Sequence, residues 1–303
     1  MNNYTNLKNI LVPTDFSELS KNAISTAVAI CQRHNATLHL FHVVENRFLI
    51  APPEAHMAAV NVIPELEKAG RKSLAVLEKT LQAKHLVNIQ VHIAFGNPGD
   101  AIRDKAISLN CELIVMGTHG ASGAREFFIG TNAYAVIKNT SIPVLTIPGK
   151  KKVKDFKRIL FPLRTTKGII DKYEFIEPII ERNNAELIIA GLSLPGEVYA
   201  LTNIELEIKE LIKLLRANET QFKTAFYMCK NYAKKVLELA KKEKADLIVI
   251  NASLDYKWRQ FFVGPYAQQV VNHAQVPVLS IRSVNAASAF EDAVKEEIIE
   301  MQQ

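Results

Sequence analysis

Cysteine is scarce in this chain. Cys31, Cys111 and Cys229 are the only three in 303 residues, and none forms a Cys-x-x-Cys pair. So sparse and odd a set, each member inside an apolar pattern, excludes a disulfide framework and reads as buried, reduced thiols. Long apolar runs are missing as well. No stretch reaches about 18 apolar residues, which excludes a membrane-spanning helix. The N-terminal MNNYTNLKN has no apolar segment of the kind a secretory signal needs, so a cytoplasmic location is expected. Charge is not concentrated either. The net charge is only +6, and the basic residues are dispersed apart from Lys150, Lys151, Lys152 and Lys154, which read as a solvated linker. With no arginine-rich helix and no aromatic-basic surface motif, nucleic acid is not an expected partner. The chain also lacks a G-x4-G-K-[ST] loop, and with it the lysine and metal-binding hydroxyl of a P-loop enzyme. No general base or arginine finger is apparent.

What is present is a globular composition, 48% hydrophobic and 22% charged, in a length that suits about two domains. An internal repeat defines them. Asn9-Ile10-Leu11-Val12-Pro13-Thr14-Asp15 is echoed by Arg158-Ile159-Leu160-Phe161-Pro162-Leu163-Arg164. Pro143-Val144-Leu145-Thr146-Ile147 is echoed by Pro277-Val278-Leu279-Ser280-Ile281. The offset falls from 149 residues at the opening to 134 at the close, so the second copy is shorter in its middle. The expected domains are 1–149 and 157–283, joined by a Gly-Lys-rich linker and followed by a tail, 284–303.

Within the first copy, short apolar runs alternate with helical periodicity. Strands are expected at 9–14, 37–44, 89–95, 112–116 and 143–147. Helices are expected at 19–33, with Ile24, Ala27, Val28 and Cys31 inward; at 64–84, with the stripe Leu66, Leu74, Leu77 and Leu81; at 98–109; and at 132–138. Ile89, Val91, Ile93 and Phe95 alternate as an edge strand does. The second copy places strands near 158–163, 185–191, 222–227, 246–251 and 277–282. Alternation of this kind implies parallel strands joined by right-handed crossovers. Ligands in such sheets bind beyond the carboxyl ends of the strands. Asp15 and Gly117 both fall on that rim.

The rim carries the most specific motif. Gly117-Thr118-His119-Gly120 is followed by nine residues and then Gly130-Thr131. This is the pattern G-x2-G-x9-G-[ST]. Together with Ile10–Ser17, the His42-Val43 pair and Pro143–Ile147, it resembles the nucleotide-binding branch of the universal stress protein family. The resemblance covers the chain as two tandem copies and is much closer in the first. It implies an α/β fold of two domains, each an open five-stranded parallel sheet with helices on both faces, Rossmann-like and similar to the adenine nucleotide alpha hydrolases. It further implies ATP, or AMP or ADP, in the first domain, with or without Mg²⁺. The base would lie near Asp15 and Val43, the phosphates over Gly117, Gly120, Gly130, Thr131 and Asn132. The candidate binding set is Pro13, Thr14, Asp15, Val43, Met116, Gly117, His119, Gly120, Gly130, Thr131 and Asn132. No catalytic or metal-ligating residue is assigned, His34, His39 and His42 included.

These residue types suit that task. Glycine lets backbone approach a ligand without a Cβ in the way. Successive N–H groups in such turns form an anion-binding concavity, and the next helix adds its unpaired amides and dipole. Thr131 is a preferred N-cap type. An Asp15 carboxylate accepts from adenine's exocyclic amine and not from guanine's carbonyl.

In the second copy Asn251-Ala252-Ser253-Leu254 and Gly264-Pro265 stand where the loop was, and Arg164 stands at the place of Asp15. That domain is expected not to bind ATP in the same manner. A nucleotide-dependent sensor, a scaffold without nucleotide and a slow ATP hydrolase all fit these features, and the sensor fits best. The closing strands are expected to pair the two halves as a pseudo-dimer within one chain; whether two chains form a homodimer is left open. Residues 46–63, with Pro52 and Pro53, read as a long connection. Residues 286–300 read as an amphipathic tail helix.

Overall fold

Leu113-Ile114-Val115-Met116 carries no polar side chain on either face, and all four residues are buried. Such a run is stable only where both faces are covered, the situation of a parallel strand beneath helices. The computed structural model describes residues 7–45, 53–118, 130–149, 153–164, 169–196, 198–252, 254–255, 262–263 and 265–282. The chain divides into two units, one built mainly on Asn6–Asp155 and the other mainly on Phe156–Val270.

The N-terminal unit runs β1 (Asn9–Pro13), α1 (Glu18–His34), β2 (Thr37–Glu45), α2 (Pro53–Gln82), β3 (Ile89–Gly96), α3 (Pro98–Ser108), β4 (Leu113–Gly117), α4 (Thr131–Asn139) and β5 (Val144–Ile147). Its sheet order is β3-β2-β1-β4-β5, and every pairing in it is parallel. Successive crossovers carry the chain one way from β1 to β3 and then the other way from β4 to β5. The reversal lies between β1 and β4, where a crevice opens at the carboxyl ends. β3 pairs only with β2 in this order. That edge position explains why Val91 and Phe95 are exposed.

Local chemistry sets the element ends. Ser17 caps α1 by accepting from the Ser20 amide, and Asn35 closes it in the left-handed region. Asn97 caps α3 ahead of Pro98. Glu112, just before β4, accepts from the amides of Lys8 and Asn9 at 3.2 and 2.8 Å, which ties down the amino end of β1. α2 begins at Pro53, so residues 53–63 are helical and not part of a long connection; residues 46–52 lie outside the described residues. Proline suits a first helical turn, and the later Pro64, which looks like a helix start in sequence, sits inside the helix. Leu66 of the expected stripe is exposed; Leu74 is the buried anchor.

The C-terminal unit runs β6 (Arg158–Leu163), α5 (Ile169–Asn183), β7 (Glu186–Ser193), α6 (Val198–Ala217), β8 (Phe222–Met228), α7 (Tyr232–Lys242), β9 (Leu247–Asn251), β10 (Leu254–Asp255), β11 (Phe262–Val263), α8 (Pro265–His273) and β12 (Val278–Ile281). Its sheet order, β12-β9-β6-β7-β8, repeats that of the first unit, again with parallel pairs. The small devices repeat too. Asn231 caps α7 as Asn97 caps α3, and Asp246 accepts from the amides of Lys157 and Arg158 as Glu112 does from Lys8 and Asn9. The difference lies between β9 and α8, where β10 and β11 form an antiparallel pair. The expected tail helix, 286–300, lies outside the described residues.

Candidate functional site

β1 ends on Pro13, and the chain must leave the sheet and enter α1 within four residues. Thr14 is 5% exposed. Its amide donates to the Phe41 carbonyl of β2 at 2.8 Å. Its hydroxyl pairs with the Ser20 hydroxyl at 3.1 Å and accepts from the Phe16 amide at 3.0 Å. Phe16 turns the chain with φ +63°. Asp15 uses Oδ1 to accept from the Ser17 amide at 3.0 Å. It is therefore an Asx-type turn former; the N-cap of α1 is Ser17. The carboxylate itself is exposed on the rim.

The wall from β2 presents Phe41, Val43 and Glu45, alternate residues on one face. His42, between them, donates from Nδ1 to the Thr14 carbonyl at 2.8 Å, and its ring lies 4.7 Å from that of Phe16. From β4 come Met116, Gly117 and then Thr118. The Thr118 carbonyl accepts from the Gly130 amide at 2.6 Å, closing the loop at its base. α3 supplies Pro98 and Ile102, one turn apart. Gly99 lets α4 approach: a Cβ there would stand 2.7 Å from that of Ala135.

α4 opens at this point. Its N-cap is Gly130, with no side chain capping it. Thr131 is the first helical residue, a correction to its expected place as the cap. The cap position needs extended backbone, and it is Gly130 that has it, at ψ 148°. Because the Gly130 amide is already bonded to Thr118, the donors facing outward are the amides of Thr131, Asn132 and Ala133. The exposed Thr131 hydroxyl stands beside them.

These residues line one cleft of about 260 Å³. Pro13, Thr14, Asp15, Val43, Met116, Gly117, Gly130, Thr131 and Asn132, all named from sequence, meet in it. His119 and Gly120 lie outside the described residues. Sequence reading missed Ser20, Phe41, Glu45, Pro98, Ile102, Thr118 and Ala133, which also line it. Phe41 and Glu45 were within reach, since period-two alternation from Val43 names both. Pro98 and Ile102 were not, because the approach of α3 is set by packing. The ionisable side chains among these lining residues are the acids Asp15 and Glu45.

The thiols lie elsewhere in chemical terms. Burial pushes Cys31 and Cys111 up to about 12, which keeps them protonated and unreactive. Cys229 is only partly covered, against the expectation that all three are buried. On the sheet, His39 Nδ1 and His92 Nε2 share a hydrogen bond of 3.0 Å. Burial first, then the neighbouring imidazole and Lys105, holds His92 down to about 4.

At the equivalent places of the C-terminal unit the residue types change. Arg164 follows β6 and lays its guanidinium over the ring of Tyr266, 3.9 Å from the centroid, with Tyr232 at 5.3 Å. In sequence register Tyr266 replaces Asn132, Tyr232 replaces Pro98 and Asn251 replaces Gly117. Pro265 opens α8, as its missing amide allows.

A model of the universal stress protein family matches residues 6–148 and 181–282. A universal stress protein of Methanocaldococcus jannaschii is 31% identical over 146 residues, which are 48% of this chain and 84% of that protein. One from Synechocystis is 30% identical over 147 residues, 46% of this chain and 96% of the other. Among solved structures, a universal stress protein from Archaeoglobus fulgidus superposes over 93% of this chain and 99% of its own, at TM-score 0.74 and 16% identity. A putative universal stress protein from Pseudomonas aeruginosa covers 97% of this chain and all of its own, 100%, at TM-score 0.63 and 16% identity. At those identities the superpositions speak for the fold.

Proposed function

The chain belongs to the universal stress protein family, and on that premise we propose that its N-terminal unit binds an adenine nucleotide and acts as a nucleotide-dependent regulatory module. One observation carries this reading. At the switch point between β1 and β4, an exposed carboxylate, a side-chain-free strand end and an uncapped helix N-terminus face one cleft. Each answers a different part of the ligand. Asp15 accepts from the exocyclic amine of adenine. Val43 and Met116 offer apolar surface to the base. Gly117 leaves room for close backbone approach. The amides of Thr131, Asn132 and Ala133, with the Thr131 hydroxyl, donate to phosphate oxygens. Gly120 and His119 belong to the same proposed set through the loop pattern.

ATP is the preferred ligand, with ADP and AMP as shorter forms of the same chemistry. Mg²⁺ fits this reading as a counter-ion. A polyphosphate beside the acids Asp15 and Glu45 is repelled unless its charge is reduced. The C-terminal unit is proposed not to bind nucleotide in this way, because Arg164, Tyr266 and Pro265 replace the acceptor, a small polar residue and a donor.

The test is mass spectrometry of small molecules released by denaturing the purified chain, followed by calorimetric titration with ATP. One nucleotide per chain, lost on Gly120→Leu, is the expected result. Two nucleotides per chain, or affinity that survives Gly120→Leu, contradicts it. Turnover faster than about 1 s⁻¹, the low end of ordinary enzymes, would make the protein an ATPase instead.

A further inference from the structure

Among the described residues, the buried side-chain polar atoms without a hydrogen-bond partner all belong to the C-terminal unit. Three of them, Ser193 Oγ, Asn251 Oδ1 and Ser280 Oγ, sit on β7, β9 and β12 at or next to the carboxyl ends. Tyr266 Oη, in the first turn of α8, is a fourth. Burying a polar group without a partner is costly. Tyr266 Oη is the orphan beside Arg164, and an unsatisfied hydroxyl there is a donor open to a ligand.

Arg164 adds a positive charge at this end of the sheet. It lies directly after β6 on the same rim and is half-buried. Its partners are the faces of Tyr266 and Tyr232; no carboxylate of the described residues pairs with it. A guanidinium carbon 3.9 Å from the ring centroid is held by a contact that uses none of its N–H donors. The N–H fork matches a carboxylate or phosphate group.

Lys172, in the first turn of α5, is a second cation. It is 3% exposed, and no acid of the described residues lies within ion-pair distance of it. A lysine so deeply placed is normally paired. The charges facing it are Glu207 of α6, Arg164, and Asp171 on its own helix. Burial pushes the Glu207 carboxyl up, and its Oε2 has no hydrogen-bond donor. Burial lowers Lys172 to about 8, which leaves it mostly charged at neutral pH. Arg164 lies within electrostatic range of both Lys172 and Tyr266.

We propose that the carboxyl rim of the C-terminal unit is a binding site for a small oxyanion, the phosphate or carboxylate group of a metabolite. The guanidinium fork of Arg164 grips it, Lys172 supplies the second positive charge, and the Tyr266 hydroxyl donates. The loss of the glycine loop is on this view a change of ligand. An acceptor for an adenine amine has been exchanged for a donor fork, and the site is independent of the nucleotide reading of the first unit.

The experiment uses the full chain at neutral pH, titrated separately with inorganic phosphate and with acetate while thermal unfolding and heat of binding are followed. A saturable rise in Tm with phosphate alone identifies a phosphoryl ligand, and with acetate alone a carboxylate. Arg164→Lys and Lys172→Met are each expected to weaken that binding by about tenfold or more, the scale of one hydrogen bond to a charged group. Lys172→Met keeps the buried stem and removes only the ammonium; should either variant fail to fold, the other decides. The proposal is overturned if neither ion gives a saturable effect, or if the effect survives substitution at these positions.

Discussion

His42 donates from Nδ1 to the carbonyl oxygen of Thr14 at 2.8 Å, and the Cδ2 edge of the same ring meets Gly70 of α2. This imidazole thus links a long helix to a residue that lines the cleft. The contact needs a glycine: a Cβ at position 70 would stand 2.8 Å from His42 Cδ2 and 3.0 Å from Ile93 Cδ1. The His42 ring cannot swing away without giving up the Thr14 carbonyl.

Gly70→Ala is therefore expected to destabilise the protein. Overpacking costs about 1–3 kcal/mol, partly offset by about 1 kcal/mol of helix propensity. Urea unfolding measures the sum. Adding His42→Ala to Gly70→Ala should recover most of the overpacking loss. A Gly70→Ala chain as stable as the parent would mean the ring is free to move.

Thr131→Pro copies the C-terminal unit at the start of α4. Proline fits a first helical turn, and Gly130 at φ −59°, ψ 148° is compatible with a following proline. Stability should change by less than about 1 kcal/mol, as for ordinary surface changes. ATP affinity should fall at least about tenfold, because the proposed phosphate site loses one amide and one hydroxyl. Calorimetric titration of the variant separates the two effects. Unchanged affinity would move the phosphates away from α4.

Asp15→Asn addresses the base. A carboxylate only accepts, whereas an amide also donates, so the variant accommodates guanine's carbonyl. The ratio of ATP to GTP affinity should drop, by a factor of about 10 or more if a paired hydrogen bond sets it. Competition of the two nucleotides for the cleft measures the ratio. If it does not change, Asp15 serves only the turn into α1.

The His39–His92 pair predicts an acid-sensitive fold. In the unfolded chain His92 takes up a proton near its ordinary 6.5, and in the folded chain only at about 4. Between those values the unfolded state binds more protons, so stability falls as pH falls. Full stability is present above 6.5 and the loss is complete below about 4. His92→Gln should flatten the profile of unfolding free energy across this window. An unaltered slope would assign the acid sensitivity to other groups.

Much of the architecture was written in single elements. β4 and β9 are apolar on every residue before their last because both faces are covered, and a run of four such side chains is visible without any partner. The loop spacing from Gly117 to Thr131 was visible for a similar reason. It is local in the chain, and glycine marks where backbone must come close. The misreadings had local causes as well. The prolines at 52, 53 and 64 resemble punctuation, yet α2 accepts one in its first turn and carries another inside. Thr131 has a capping side chain, but backbone angles decide which residue caps, and the hydrogen bond from Gly130 to Thr118 shifts the cap by one.

By itself the sequence determined that this protein would be two copies of one alternating pattern, with a backbone-lined loop kept in the first and lost in the second. Those are properties of spacing and residue size, and they survive in one dimension. Tertiary structure alone decided which amides of α4 remain unbonded, that α3 supplies the Pro98–Ile102 wall, and that the Arg164 guanidinium lies over the Tyr266 ring. Each of these depends on side chains from separate elements meeting at the same sheet end, and distance in space is not encoded by distance along the chain.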